Sequence, residues 1–322
     1  MKTEGMSGVS RRLRVVSTIV AIAMVGLLTM DSALGDGTTQ TVFGSPEEAG
    51  WALQSAAREK DQKVLTVILG PASRELLSSG DPAEDTAALE LFVRKFDQMN
   101  RWVKMTDGSE VLVIGADNYA FPIPLAKNRS SSWYFDTRAG RDEIRARRIG
   151  RNELLAIDAV SAIAEAERLY ARHAHDGKPA GLYTTKIFST PGKRDGLYWQ
   201  VPADQPASPL GRVDLFAKGA LSTPSQSPVI DGYSFRVLTA QGDHASGGAK
   251  QYFANGKMTG GFAVIAAPVT YGEAGIMTFI TDRAGTVYQR DLGQETAKIA
   301  AAIVGYNPTQ EWELADQSGV SP

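Results

Sequence analysis

The chain has 322 residues, 43% of them hydrophobic and 22% charged, a balance typical of a folded globular protein and not of a disordered one. Its formal net charge of −2 gives no general attraction to nucleic acid or to an anionic membrane surface. Because the sequence contains no cysteine, disulfides, thiol nucleophiles and thiolate metal sites are excluded.

The N-terminus has the pattern of an export signal. Three arginines within residues 11–14 precede an apolar run over residues 15–30, and Ala-Leu-Gly at residues 33–35 offers small side chains for cleavage. The apolar run is shorter than the ~18–20 residues that cross a bilayer comfortably. We therefore predict a signal peptide over residues 1–35, cleaved after Gly35, and a periplasmic or secreted protein with no stable membrane span after cleavage. An uncleaved N-terminal anchor is the alternative.

Residues 36–150 have the pattern of helices followed by strands. Ser45-Pro46-Glu47-Glu48 predicts a helix start with a capping box, and Gly70-Pro71 predicts the end of a second helix over VLTVIL. Apolar side chains from Leu89 to Phe96 recur at helical spacing and predict a third helix. The stretches EVLVIGA, NYAFPIPLA and SSWYFDT then alternate as strands do. The order predicts an N-terminal α+β domain, which is similar to the cone-shaped nuclear transport factor 2-like fold.

Residues 138–151 form an arginine-rich segment in which six arginines outnumber two acidic residues. Two interpretations are open: an anion-binding patch, or a solvated linker or helix that joins two domains, which is the more usual role of such a charge run. Asn152 is a candidate cap for a following helix that ends near His173. We place the domain boundary between residues 150 and 151.

Residues 151–322 predict a second α+β domain with an antiparallel sheet. An irregular, proline-rich excursion is expected from Pro191 to Pro228. The stretches GYSFRVL, FAVIAAPV, IMTFITD and TVYQRDL have strand composition, and GQETAKIAAAIVGY predicts a short helix. Asp282-Arg283-Ala284-Gly285 has the composition of a hairpin turn, so Asp282 is interpreted as bonding its own backbone, with a catalytic acid as the alternative.

Several blocks of the sequence resemble an uncharacterised family of exported bacterial proteins, domain of unknown function 2950. The blocks are WYFDTRAGRDEIRARRIGRNELLAI, RDGLYW, SPLG, GYSFRVLTAQG and GGFAVIAAPVTYGEAGIMTFITDRAGTVYQRDLG. The resemblance extends from about Phe43 to Trp312 and implies export without implying an activity. AEAERLYARH, GYSFRV and AAPVTYGEAGIMTFITDRAGTVY are also similar to the globular heads of type IV pilin-like proteins, in which a helix packs across an antiparallel meander. In true pilins that helix begins at the processed N-terminus, whereas here it begins behind another domain.

No motif predicts catalysis or metal binding. His173 and His175 are spaced by two residues at a helix end, where their side chains diverge, and no second cluster completes a metal shell. The segment HAHDGKP lacks the carboxylates of a calcium loop, so we predict neither a metal nor another cofactor. A carboxylate pair for hydrolysis, such as Asp195 with Asp231, has no support from spacing.

The most suggestive side chains are the aromatics of WYF and DGLYW, which include Tyr198 and Trp199. Such amphipathic rings beside turns either form a platform for a glycan or peptide or close the core between the domains. As a ligand-binding set we name Trp199 and Tyr198, with Arg147 and Arg148 supplying positive charge. The prediction is a non-catalytic binding or assembly module of the cell envelope, with an envelope protein or polymer as partner and no nucleic acid. A hydrolase of envelope material, with its site between the domains, is the alternative.

Overall fold

The computed structural model describes residues 40–202, 204–211 and 228–315, so the expected signal peptide and part of the proline-rich excursion lie outside the described residues. All described residues belong to one compact unit. Five helices are present in this part of the chain: α1 Pro46–Glu59, α2 Gln62–Leu69, α3 Pro82–Gln98, α4 Thr137–Ala171 and α5 Thr296–Ala302.

The strands fall into two groups, one before α4 and one after it. The first group is β1 Asn100–Lys104, β2 Glu110–Ile114, β3 Tyr119–Ala120, β4 Leu125–Lys127 and β5 Trp133–Phe135. The second is β6 Val229–Ile230, β7 Tyr233–Leu238, β8 Ala240–Gln241, β9 Lys250–Gln251, β10 Phe253–Ala254, β11 Lys257–Met258, β12 Ala263–Pro268, β13 Met277–Asp282, β14 Val287–Asp291, β15 Gly305–Tyr306 and β16 Glu313–Leu314.

The N-terminal elements form as their sequence signals predict. The Glu48 backbone N–H donates to the Ser45 side chain at 3.2 Å, and the Glu48 carboxylate accepts from the Gly44 N–H at 2.8 Å, so the capping residues are confirmed. The antiparallel sheet runs in the order β1-β2-β4-β5, with β3 paired to β2. Its apolar residues and those of the helices form hydrophobic clusters that include Leu53, Leu65 and Phe135.

Helix α4 begins much earlier than the sequence predicts. Asp136 caps it by accepting from the Ala139 N–H at 3.0 Å, and the helix then continues for 35 residues. The prediction that Asn152 starts this helix was therefore wrong. Asn152 is buried within the helix, where its side chain donates to the carbonyl of Ala274 at 2.9 Å. The arginine-rich segment is the first half of α4.

The C-terminal half of α4 packs on a six-stranded antiparallel sheet of order β16-β14-β13-β12-β7-β6. Val160 and Ile163 of the helix and Val264 and Phe279 of the sheet are fully buried in one hydrophobic cluster. Between β13 and β14, Asp282 accepts from the Ala284 N–H at 2.9 Å, which confirms the predicted turn role for this residue.

The mixture of helices and largely antiparallel sheets confirms the α+β class. A mixed three-stranded sheet, β15-β8-β9, and the hairpin β10-β11 complete the C-terminal half. Separate hydrophobic clusters lie within residues 43–135 and within residues 156–312, and the second includes the C-terminal half of α4. The boundary at residues 150/151 and the likeness to nuclear transport factor 2-like and pilin-like units stay predictions. Within the described ranges, no helix is both long enough and apolar enough to span a membrane.

Candidate functional site

A loop over residues 184–199 carries most of the candidate site. The backbone N–H of Tyr198 donates to the Ile187 carbonyl at 2.8 Å, and the N–H of Ser189 donates back to the Tyr198 carbonyl at 2.8 Å. Ile187 and Leu197 insert their side chains into the C-terminal core, where both are almost completely buried. Apolar anchors and backbone hydrogen bonds thus hold an irregular segment in one conformation.

Gly196 permits the close approach within this loop. A Cβ atom at this position would lie 2.7 Å from the Phe188 carbonyl carbon and 2.7 Å from the Ser189 nitrogen, closer than carbon side chains tolerate. The Gly196 N–H also donates to the Ser189 hydroxyl at 2.9 Å. The sequence DGLYW therefore has glycine at this position because the two sides of the loop touch here.

Lys186, Thr190 and Asp195 form a hydrogen-bonded network at the base of the loop. The Lys186 ammonium donates to Asp195 Oδ2 at 2.6 Å, and the Thr190 N–H donates to Asp195 Oδ1 at 2.8 Å. Partial burial alone would raise the pKa of Asp195, but the hydrogen bonds from Lys186 and Thr190 outweigh it and lower the pKa to about 2. Asp195 is consequently a fixed negative charge that orients Lys186.

One side of the loop borders a cleft of about 400 Å³, called here the lysine cleft. Among the described residues, three lysines line it, and Asp195 is the one acidic residue of the lining. Aromatic and imidazole rings from α4, the following segment and β10 complete the wall. The lining side chains that matter here are Tyr170, His175, Lys178, Lys186, Phe253 and Lys257.

The other side of the loop borders a cleft of about 460 Å³, called here the tryptophan cleft. Trp199 is partly buried against the C-terminal core, and the guanidinium of Arg194 lies 5.8 Å from its ring centroid. Tyr198 lies edge-on to Phe188, with ring centroids 5.7 Å apart. Lys193 adds a second cation, and none of the described residues that line this cleft is acidic. Trp199 and Tyr198 thus lie together in a concave, positively charged surface.

Arg147 and Arg148, the other two residues of the predicted set, lie elsewhere. Arg147 bonds Glu143 at 2.7 Å and the Ala120 carbonyl at 2.8 Å, while Arg148 pairs with Glu273 at 2.7 Å. Arg147 precedes Tyr170 on α4 by about 35 Å along the helix axis. The structure therefore brings Arg194, not these arginines, to the aromatic pair.

His175 joins the two clefts. Its ring stacks on Tyr170 with centroids 4.1 Å apart and contacts the edge of Trp199 at 5.6 Å. Burial lowers the pKa of His175, although the hydrogen bond of its Nε2 with the Tyr170 carbonyl, at 3.0 Å, opposes that effect. In the described part of the chain, no three His, Asp or Glu side chains are placed to hold a metal ion together.

Glu167 lies fully buried in α4, one turn before Tyr170. Its Oε2 accepts from the Thr184 N–H at 3.2 Å, whereas Oε1 has no hydrogen-bond partner. Burial raises the pKa of this carboxyl well above its ordinary value of 4.5, and the bond from Thr184 only partly offsets the rise. Glu167 thus keeps its proton to a higher pH than an exposed glutamate does, and its bond from the Thr184 N–H fastens the start of the 184–199 loop to the helix.

A family profile described as "Protein of unknown function (DUF2950)" matches residues 40–315. The chain belongs to this family. The sequence resemblance to domain of unknown function 2950 is therefore confirmed. No curated protein matches the chain, and no solved structure matches it. The resemblance of this family member to pilin-like heads is accordingly not confirmed.

Sequence reasoning missed the cationic part of the site in this member of the 2950 family. Lys186 and Arg194 carried no motif, and Asp195 was considered only as half of a carboxylate pair with Asp231. Asp231 lies instead in the turn between β6 and β7, with φ of 45°. The spacing of Lys186, Thr190 and Asp195 gives no signal by itself, because the loop must close before they meet.

Proposed function

We propose that this chain is an exported binding module that works without a cofactor and takes an anionic ligand of the cell envelope across its lysine and tryptophan clefts. The carrying observation is the charge of these surfaces. Of the described residues, five lysines or arginines and one aspartate line the two clefts, a formal excess of four positive charges. The whole chain carries a net charge of −2, so the excess is local. Such a concave field attracts anions and guides them to the site.

The aromatic side chains supply the second half of recognition. Trp199 and Tyr198 present partly buried rings, and stacked ligands typically gain ~1–3 kcal/mol per ring, by analogy with nucleobases. An acidic polysaccharide offers both features, namely a ring face that stacks and a carboxylate that pairs with lysine or arginine. We therefore choose a uronic acid polymer as the probe for the site.

Binding is favoured over hydrolysis by the state of Asp195. A general acid or base needs a pKa near the working pH and a free route for its proton. Asp195 has a pKa of about 2, and its oxygens accept from Lys186 and Thr190. No specific observation favours the hydrolase alternative.

The binding test uses fluorescence anisotropy with labelled polygalacturonate oligomers, and labelled dextran as the neutral control. Charge reversal at Lys257 or Arg194 replaces an attraction of ~1 kcal/mol by a repulsion of similar size. Lys257→Glu and Arg194→Glu should therefore each raise the Kd by roughly tenfold or more. The matched control is Lys298→Glu, because Lys298 is an exposed lysine of α5 outside both clefts. Equal affinity for dextran, or equal loss in the Lys298→Glu variant, would refute the proposal.

Export is the second element of the proposal. The three arginines within residues 11–14, the short apolar run over residues 15–30 and the small residues at 33–35 support cleavage after Gly35. Intact-mass analysis of protein isolated from the native host should find Asp36 as its first residue. Recovery of uncleaved chains, beginning at Met1, from the membrane fraction would contradict cleavage and favour the N-terminal anchor.

A further inference from the structure

The N-terminal half contains a cleft of a different kind, called here the apolar cleft. It has a volume of about 410 Å³ and lies between α1, α2, α3 and the part of the sheet formed by β2 and β3. Apart from Lys95 and Tyr119, every lining side chain is aliphatic, phenyl or proline. Leu53, Leu65 and Ile114 form its deep wall and are almost completely buried.

The size and lining of this cleft are those of a ligand site. Protein cores are close-packed, with few voids larger than a water molecule, whereas ligand pockets begin at about 300 Å³. An apolar wall offers water no hydrogen bonds, so an apolar occupant that displaces water gains free energy in proportion to the area it covers. Leu91 at the mouth remains 46% exposed, so a ligand can enter from solvent.

The single charged lining residue indicates the chemistry of the other end of the ligand. Lys95 contributes its aliphatic chain to the wall, and its ammonium pairs with Asp117 and lies 5.2 Å from the Tyr119 ring centroid. The Arg147 guanidinium lies 5.7 Å from the same ring. None of the described residues that line the cleft carries a carboxylate, and a lysine ammonium has three donors, so Lys95 can bond an added anion beside Asp117.

We propose that the apolar cleft binds a single-chain amphiphile with an acidic head, such as a medium-chain fatty acid. The hydrocarbon tail lies against Leu53, Leu65 and Phe92, and the carboxylate lies at Lys95. This site is separate from the lysine and tryptophan clefts, so either proposal can fail without the other.

The test is calorimetric titration of the purified protein with octanoate and decanoate below their micelle concentrations. Each methylene that the cleft covers contributes ~0.8 kcal/mol, so the Kd should fall about fourfold per added methylene. Decyltrimethylammonium has the same tail with a cationic head and should bind at least tenfold more weakly than decanoate. Equal affinity for octanoate and decanoate, or a preference for the cationic head, overturns the proposal.

Two substitutions on α3 locate the site. Ala88 is an exposed residue that lines the cleft, whereas its neighbour Ala87 is exposed and does not. Ala88→Trp should fill the mouth and abolish decanoate binding, while Ala87→Trp should bind as the unmodified chain does.

A third substitution, Lys95→Gln, tests the charged end of the site. It should raise the Kd for decanoate about tenfold and leave the Kd for decyl maltoside unchanged. Decanoate binding that survives Ala88→Trp places the ligand elsewhere and refutes the inference. A third outcome is that the unmodified protein is a dimer that binds no decanoate and that Ala88→Trp makes monomeric. That outcome would assign the cleft to a second copy of the chain and would also refute the proposal of a fatty-acid site.

Discussion

Glu167 gives the most exacting test of the energetics, because a buried carboxyl couples the stability of the C-terminal half to pH. Its pKa in the folded chain lies well above the ordinary value of 4.5, owing to burial. At a pH between 4.5 and the folded pKa, Glu167 therefore carries a proton in the folded chain and has released it in the unfolded chain. Stability from this group is fully present below pH 4.5 and falls as the pH rises towards the folded pKa.

The variant Glu167→Gln keeps the shape and the acceptor for the Thr184 N–H but cannot titrate. Wild-type stability should fall by up to about 1.4 kcal/mol per pH unit relative to the variant, over the interval between the two pKa values. The glutamine NH2 group occupies the place of the unpartnered Oε1, which adds a pH-independent cost of about 1–3 kcal/mol. The informative quantity is therefore the slope of the stability difference against pH, and not its constant part.

The assay is urea unfolding of both proteins from pH 5 to pH 8, with the difference in unfolding free energy plotted against pH. Titrations common to both proteins cancel in this difference, so it reports Glu167 alone. The variant should become the relatively more stable protein as the pH rises. Glu165→Gln serves as control, since Glu165 lies on the exposed side of the same helix and pairs with Arg168 at 2.7 Å. Parallel stability curves for the wild type and Glu167→Gln would refute the raised pKa of the Glu167 carboxyl.

Three further predictions concern the 184–199 loop. Asp195→Asn should remove ~1–2 kcal/mol of stability at neutral pH and none at low pH. The reason is that the lowered pKa of Asp195 stabilises the folded chain above pH 3.8, and this stabilisation is lost as the pH falls towards 2. Acid unfolding of both proteins measures the difference. Gly196→Ala should weaken polygalacturonate binding by tenfold or more, because the new Cβ forces the loop apart at Phe188; unchanged binding would show that the loop geometry is not required. Trp199→Ala should cost ~1–3 kcal/mol in a thermal melt, less than the ~3–5 kcal/mol of a fully buried ring; a larger drop would assign Trp199 to the core and exclude it as a ligand platform.

The elements that were predicted correctly from the sequence are those whose hydrogen bonds join residues only a few positions apart. Ser45 and Glu48 make the first helix start locally, and Asp282 bonds the Ala284 N–H only two residues away. Such signals depend on a few consecutive residues, so a single sequence contains them in full.

The early start of α4 was missed although its cap is also local, since Asp136 accepts from the Ala139 N–H. Its arginine-rich half gains partners that are remote in sequence, since Arg141 pairs with Glu75 and Arg148 pairs with Glu273. Asn152, with the side chain of a typical cap, is instead directed to the Ala274 carbonyl. Of the two capping side chains in this segment, Asp136 caps the helix and Asn152 makes a tertiary contact, and that choice is not visible in the local sequence.

The same reason explains why half of the candidate site was missed. Tyr198 and Trp199 were recognisable as large rings beside a turn, but their cation is Arg194 and not Arg147 or Arg148. Glu167 has the periodicity of an ordinary helix residue, and its burial depends on Thr184 arriving from the following segment. A loop that closes over a helix brings these groups together, and no spacing within the sequence encodes that closure.

The central claim is that an anionic ligand binds across the lysine and tryptophan clefts, and hydrogen–deuterium exchange with saturating polygalacturonate tests it most directly. Binding there should slow exchange in peptides that cover residues 184–199 and 253–258, which border the two clefts, and leave α3 unchanged. Protection confined to other segments, or no protection at a concentration that saturates the anisotropy signal, would contradict the claim.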